Sequence, residues 1–136
     1  MEILTKQQFQ VFLDDISECF VTGDFAVWEG HILLPFSLIT SNGPKTLSTR
    51  EELKENFGQY ISVCKLLNID SIYRIPISLE DCEDGTMIGT YTTHLMSGQF
   101  RATRPYTSSV LLMASDGAWK MTAILNARGT HEWLDT

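Results

Sequence analysis

Apolar residues recur along this chain with two different periods, and the change from one to the other divides it. Phe9, Phe12, Leu13, Ile16 and Phe20 fall on one stripe at helical spacing. Thr5 stands ahead of them with Gln8 three positions on, a capping-box pattern in which each side chain satisfies the other's free backbone N–H. The helix should stop near Thr22-Gly23, because glycine accepts the left-handed conformation that closes a helix. Asp24 then caps a short second helix carrying Phe25 and Trp28. Pro35–Thr40 and Lys45–Leu47, separated by Ser41-Asn42-Gly43-Pro44, read as a hairpin. Ser48-Thr49-Arg50-Glu51 reads as a second capping box. It opens a helix to about Asn68 with a stripe of Leu53, Phe57, Tyr60, Ile61, Cys64 and Leu67.

From Ile69 the period becomes two. Ile69, Ser71, Tyr73, Ile75, Ile77 and Leu79 share one strand face, with Asp70, Arg74, Ser78 and Glu80 on the other. Pro76 lacks an N–H, so it marks an edge strand or a bulge. Further strands are expected over Met87–Met96 and Phe100–Ala114, the latter ending at Ser115-Asp116-Gly117, a strong hairpin signal before Ala118–Arg128. Helices followed by a run of strands predict an α+β domain, here one domain over 1–136, with helices on one face of an antiparallel sheet.

Composition narrows the role. The formal charge is −7, and the ten basic residues are scattered, which argues against nucleic acid. No apolar run approaches the ~20 residues of a membrane span, and Met1–Lys6 lacks the order of a secretory leader. Cys19, Cys64 and Cys82 are odd in number and widely spaced, which suits free thiols in a reducing cytoplasm. No His, Cys, Asp or Glu grouping has metal-ligand spacing, and nothing calls for a cofactor.

The element order, with Thr22-Gly23-Asp24, Thr49-Arg50-Glu51-Glu52-Leu53 and Asp116-Gly117-Ala118-Trp119-Lys120-Met121, resembles the nuclear-transport-factor-2-like superfamily, and within it the SnoaL-like and ketosteroid-isomerase-like branch. The resemblance covers nearly the whole chain. It implies a cystatin-like cone, three N-terminal helices on a strongly curved antiparallel sheet around an apolar cavity, and a homodimer through the convex sheet face. Isomerases, cyclases, dehydratases, epoxide hydrolases and non-catalytic binders share that fold, so it leaves function open. The isomerases' carboxylate base has no counterpart in Leu38-Ile39-Thr40-Ser41, and the first helix turns only Phe12, Ile16 and Phe20 inward.

Chemistry must therefore come from other residues. His94, mid-strand, suits a general base near neutral pH, with Tyr60 or Tyr91 as proton donor; strand parity equally allows His94 on the convex face, opposite Tyr91. Arg101 and Arg104, with Tyr106 nearby, suit recognition of a carboxylate or phosphate, or else an ordinary solvated strand. Trp28, Phe57 and Asn126 complete the expected wall. Three readings fit: a cofactor-free acid–base enzyme on a small apolar substrate, a binder of a small apolar molecule such as an organic acid, or a dimeric interaction module with a filled interior.

Overall fold

The computed structural model describes residues 2–134; Met1, Asp135 and Thr136 lie outside the described residues. Helices α1 (Lys6–Thr22) and α2 (Phe25–Gly30) lead into strands β1 (Ile32–Thr40) and β2 (Gly43–Leu47), followed by helix α3 (Arg50–Leu66). Strands β3 (Ser71–Asp81), β4 (Thr86–Ser97), β5 (Phe100–Arg101), β6 (Tyr106–Ser115) and β7 (Ala118–Leu125) come next, and a short helix α4 (Thr130–Leu134) ends the described chain.

Local chemistry sets these boundaries. Thr5 caps α1 and exchanges hydrogen bonds with Gln8 as expected, and Gly23 closes the helix at φ 77°. The capping box of α3 lies one residue later than the Ser48–Glu51 pair: Thr49 is the cap and Glu52 its partner, since Thr49 Oγ1 accepts from the Glu52 N–H. Asp116 and Gly117, at φ 50° and 78°, make the tight turn between β6 and β7. The expected strand from Phe100 divides in two, with β5 ending at Arg101 and β6 starting only after Pro105.

The sheet runs β2-β1-β7-β6-β4-β3, with β5 paired to β4. It is mixed rather than antiparallel throughout, because β1 lies parallel to β7. The chain returns to that position through α3 and the whole meander, so the two strands meet with the same sense. Register shifts interrupt β1 against β7, β3 against β4 at Pro76/Ser78, and β6 against β7 at Leu111/Leu112. Such bulges bend a sheet and re-aim the side chains beyond them. β3 is an edge strand, which accommodates Pro76.

Strand β3 turns its Arg74 face inward and its Tyr73 face outward. Ile72 and Arg74 are buried, whereas Tyr73, Ile75 and Ile77 are exposed on the convex side. The β7 bulge has a similar consequence: Met121 and Ile124 point inward, and Leu125 is exposed, so the apolar face read at strict alternation does not persist along the strand. On the concave side α1 crosses β3, and Phe9, Leu13, Ile16, Leu53, Phe36 and Leu112 form the dry centre of the core.

Gly89 on β4 lies under the Phe9 ring, and a Cβ there would overlap the ring carbons. Its φ is unexceptional, so the requirement is space. Gly89→Ala is expected to cost ~1–3 kcal/mol through overpacking; urea unfolding checks this, and an unchanged midpoint contradicts the packing described.

Candidate functional site

A small cavity of about 50 Å3 lies between the concave face and the helices. Its floor is set by cross-strand register. Arg74 on β3 pairs with Thr93 on β4, and Thr93 pairs with Tyr106 on β6, so one row carries three polar side chains inward. One step along β4, Tyr91 pairs with Ser108. The helices supply Trp28, Asn56 and Tyr60, and β1 and β7 supply Leu38 and Ile124.

The polar groups in this row are unusually short of partners. Arg74 is only 7% exposed. Its Nη1 donates to Ser17 Oγ at 2.8 Å, and Ser17 Oγ donates to the Leu13 carbonyl at 2.6 Å. The guanidinium lies 6.0 Å from the centre of the Tyr91 ring, a cation–π distance. Arg74 Nε and Trp28 Nε1 are buried without a hydrogen-bond partner, whereas the Thr93 hydroxyl is close enough to the Tyr106 phenol to lower its pKa. Most buried polar groups in folded proteins are paired, so unpaired ones around one cavity point to something the cavity receives.

Burial also decides which protons the cavity holds. It pushes the Tyr91 phenol up to about 12, against the lowering influence of Arg74. Tyr60 is raised further by burial, with smaller contributions from Tyr106 and Glu132, and Tyr106 is raised by burial too. All three phenols therefore act as proton holders at neutral pH. No histidine or carboxylate lines the cavity among the described residues.

Helix α4 closes the cavity on one side. Trp133 is 3% exposed; its ring meets Tyr60 edge-on at 4.8 Å, and its Nε1 donates to Tyr106 Oη at 3.2 Å. Tyr60 Oη donates to the Arg128 carbonyl at 2.5 Å, tying α3 to the segment before α4. Arg128 Nη1 donates to Glu132 Oε2 at 2.8 Å, and the Gly129 N–H donates to Glu132 Oε1 at 3.2 Å. Burial alone would raise the Glu132 carboxyl, but these bonds outweigh it and hold the group below its ordinary value. Outside Trp133 lies an open cleft bordered by Arg104, Arg128 and His131, which shares Tyr106, Arg128 and Trp133 with the inner cavity.

Of the residues expected at the site, Tyr60, Tyr91, Tyr106 and Trp28 meet around the cavity. Phe57 is buried one layer behind, packed on Phe20 at 4.8 Å. Arg104 borders the outer cleft, and Arg101 is exposed on β5. Asn126 is exposed and turns the chain after β7 at φ 57°, its Nδ2 donating to the Thr107 carbonyl. His94 is not brought to the cavity: it stands on the convex face, stacked on Tyr73 at 4.4 Å with planes 6° apart. Burial, and then Arg101, lower its pKa.

Sequence reasoning missed Arg74 and Trp133. Arg74 stood on one of two alternating faces of β3, and alternation does not say which of them is inside. Trp133 sits in a five-residue helix too short for a periodic signal.

No protein-family model matches the chain, and no curated protein matches it. Solved structures do. A domain of unknown function with a cystatin-like fold from Nostoc punctiforme is 13% identical and superposes with a TM-score of 0.69 over 90% of this chain and 76% of that one. A nuclear transport factor 2-like superfamily protein from Salmonella enterica is 11% identical, with a TM-score of 0.63 over 91% and 89%. A protein considered a candidate ketosteroid isomerase, from Shewanella frigidimarina, is 12% identical, with a TM-score of 0.59 over 88% and 93%. At such identities the likeness is one of fold: the chain has a cystatin-like fold, similar to that of these proteins.

Proposed function

We propose that this chain is a small-molecule binding protein whose ligand sits inside the cone, held by polar groups of the β3–β4–β6 row and covered by α4. The observation that carries this reading is the coincidence in one cavity of unpaired buried donors with the absence of a base among the described lining residues. General acid–base turnover needs a group that accepts a proton near neutral pH within reach of the substrate. The phenols present are raised by burial and stay protonated, and His94 faces the other side of β4. Binding makes no such demand. The walls are largely aromatic and aliphatic, so the ligand combines an apolar body with a polar group directed at the row.

The convex face supports a second reading, compatible with the first. Tyr73, Ile75, Ile77 and Leu125 are between 39% and 54% exposed on that side. We infer that a second copy of the chain covers them, giving a homodimer through the sheet. A reducing cytoplasm is the compartment that suits the three free cysteines, of which Cys19 and Cys64 are buried. No helix among the described residues is long and apolar enough to cross a membrane.

A thermal-shift screen over small organic molecules tests the first reading. A ligand at about 100 times its Kd should add ~2.7 kcal/mol, a shift of several degrees. Trp133→Ala should lower stability by ~3–5 kcal/mol while speeding ligand association, because the cover is gone. Silence across a broad panel, with both proteins folded, contradicts a binding cavity. For the second reading, light scattering should give a dimer mass for the unaltered chain and a monomer mass for Ile75→Glu, with the thermal response to ligand preserved. A monomer at every concentration of the unaltered chain removes the dimer.

A further inference from the structure

Arg74 carries a charge that the protein does not neutralise. A guanidinium stays protonated throughout the physiological range and presents five N–H donors with no acceptor. One of those donors bonds Ser17 Oγ, and the buried Nε has no partner. The ion pairs of the described residues join His31 to Asp15, Arg50 to Glu29, and both Arg128 and His131 to Glu132; none includes Arg74. The groups packed around it from α1, α3 and β4 do not supply an anion. Burial pushes the Cys19 thiol up to about 12, the Cys64 thiol up to about 11 and the Tyr91 phenol up to about 12, although Arg74 pulls each of them down. At neutral pH all three are uncharged.

A buried charge without a counter-charge is costly, by several kcal/mol per ion even after relaxation. In most proteins such a group would be paired or absent. The surrounding donors sharpen the point. Trp28 Nε1 is a donor only and is buried unpaired in the same cavity, and the Thr93 hydroxyl, the direct cross-strand neighbour of Arg74, can donate as well. What the cavity lacks is an anionic acceptor.

Resting on the binding function proposed above, we infer that the ligand is a small organic acid, and that its carboxylate is taken by Arg74 with Trp28 and Thr93 as further donors. A planar carboxylate matches the guanidinium fork, and such pairs are short and strong. A volume of about 50 Å3 admits the carboxylate headgroup, the space of one or two waters. The aromatic walls suit an apolar tail better than a second charge. Tyr106, Arg128 and Trp133 border both the cavity and the outer cleft, so a longer tail would run toward α4.

Paired probes test this with the full chain. Acetate, butyrate and hexanoate are titrated by calorimetry alongside acetamide, butyramide and hexanamide, with inorganic phosphate as a separate anion. At least one acid should bind about tenfold or more tightly than its amide, the size expected of a charged hydrogen-bonded contact. Arg74→Met should erase that preference, and Trp28→Phe, which removes the indole N–H and keeps an aromatic ring, should reduce it. The acid–amide comparison in the unaltered chain needs no variant and decides the matter by itself. An acid and its amide binding equally well would overturn the anionic assignment and leave the binding cavity standing. Phosphate binding more tightly than every acid would likewise overturn the carboxylate. Absence of binding by every probe would overturn the carboxylate, while a positive result from the wider thermal screen would still uphold the cavity.

Discussion

Register across three strands decides what this cone can hold. Arg74 faces Thr93 and Thr93 faces Tyr106, so a single row carries a guanidinium, a hydroxyl and a phenol into the interior. Side chains alternate along each strand with a period of two, and a slip of one residue would send all three to the convex face. It would also turn Tyr73 and Ile75 inward, making an ordinary greasy core. The pairing observed gives up that simple core for an interior with a buried charge at its centre.

The rest of the architecture accommodates that charge. Helix α1 lies over β3 and presents Ser17, whose hydroxyl accepts from Arg74 and donates to the Leu13 carbonyl. The Tyr91 ring flanks the guanidinium, while burial keeps the nearby thiols and phenols neutral. Trp133 seals the cavity, anchored to Tyr106 by its indole N–H, and the Arg128–Glu132 pair holds the first turn of α4 in place. The interior is thus nearly filled and rich in donors, which suits the binding role proposed and lacks the positioned base that proton abstraction requires.

Much of the fold was legible because it rests on short-range chemistry. The Thr5–Gln8 box, the Gly23 stop, the Asp24 cap and the Asp116-Gly117 turn are each specified by a few adjacent residues and occur where expected. The parallel contact of β1 with β7 joins positions far apart in the chain, and no local pattern encodes it. The site was legible in part. Tyr60, Tyr91, Tyr106 and Trp28 reach the cavity because each sits on a stripe or strand whose inner face is unambiguous once the sheet is formed. The inward position of Arg74 was not legible because β3 is apolar on the face that is exposed, as Tyr73, Ile75 and Ile77 show. Alternation distinguishes two faces without saying which is inside. His94 belongs with that outer set by the same parity.

The central claim is that Arg74 is a buried charge with no counter-charge of the protein's own. Its most direct test is the stability of Arg74→Met in the absence of any ligand, measured by urea unfolding against the unaltered chain. Methionine keeps most of the volume and removes the charge. Where a charge is uncompensated, an apolar replacement is neutral or stabilising, so the account predicts a variant within ~1 kcal/mol of the parent or above it. A loss of ~3–5 kcal/mol, the cost of breaking a buried pair, would mean that Arg74 already has its partner and would contradict the account.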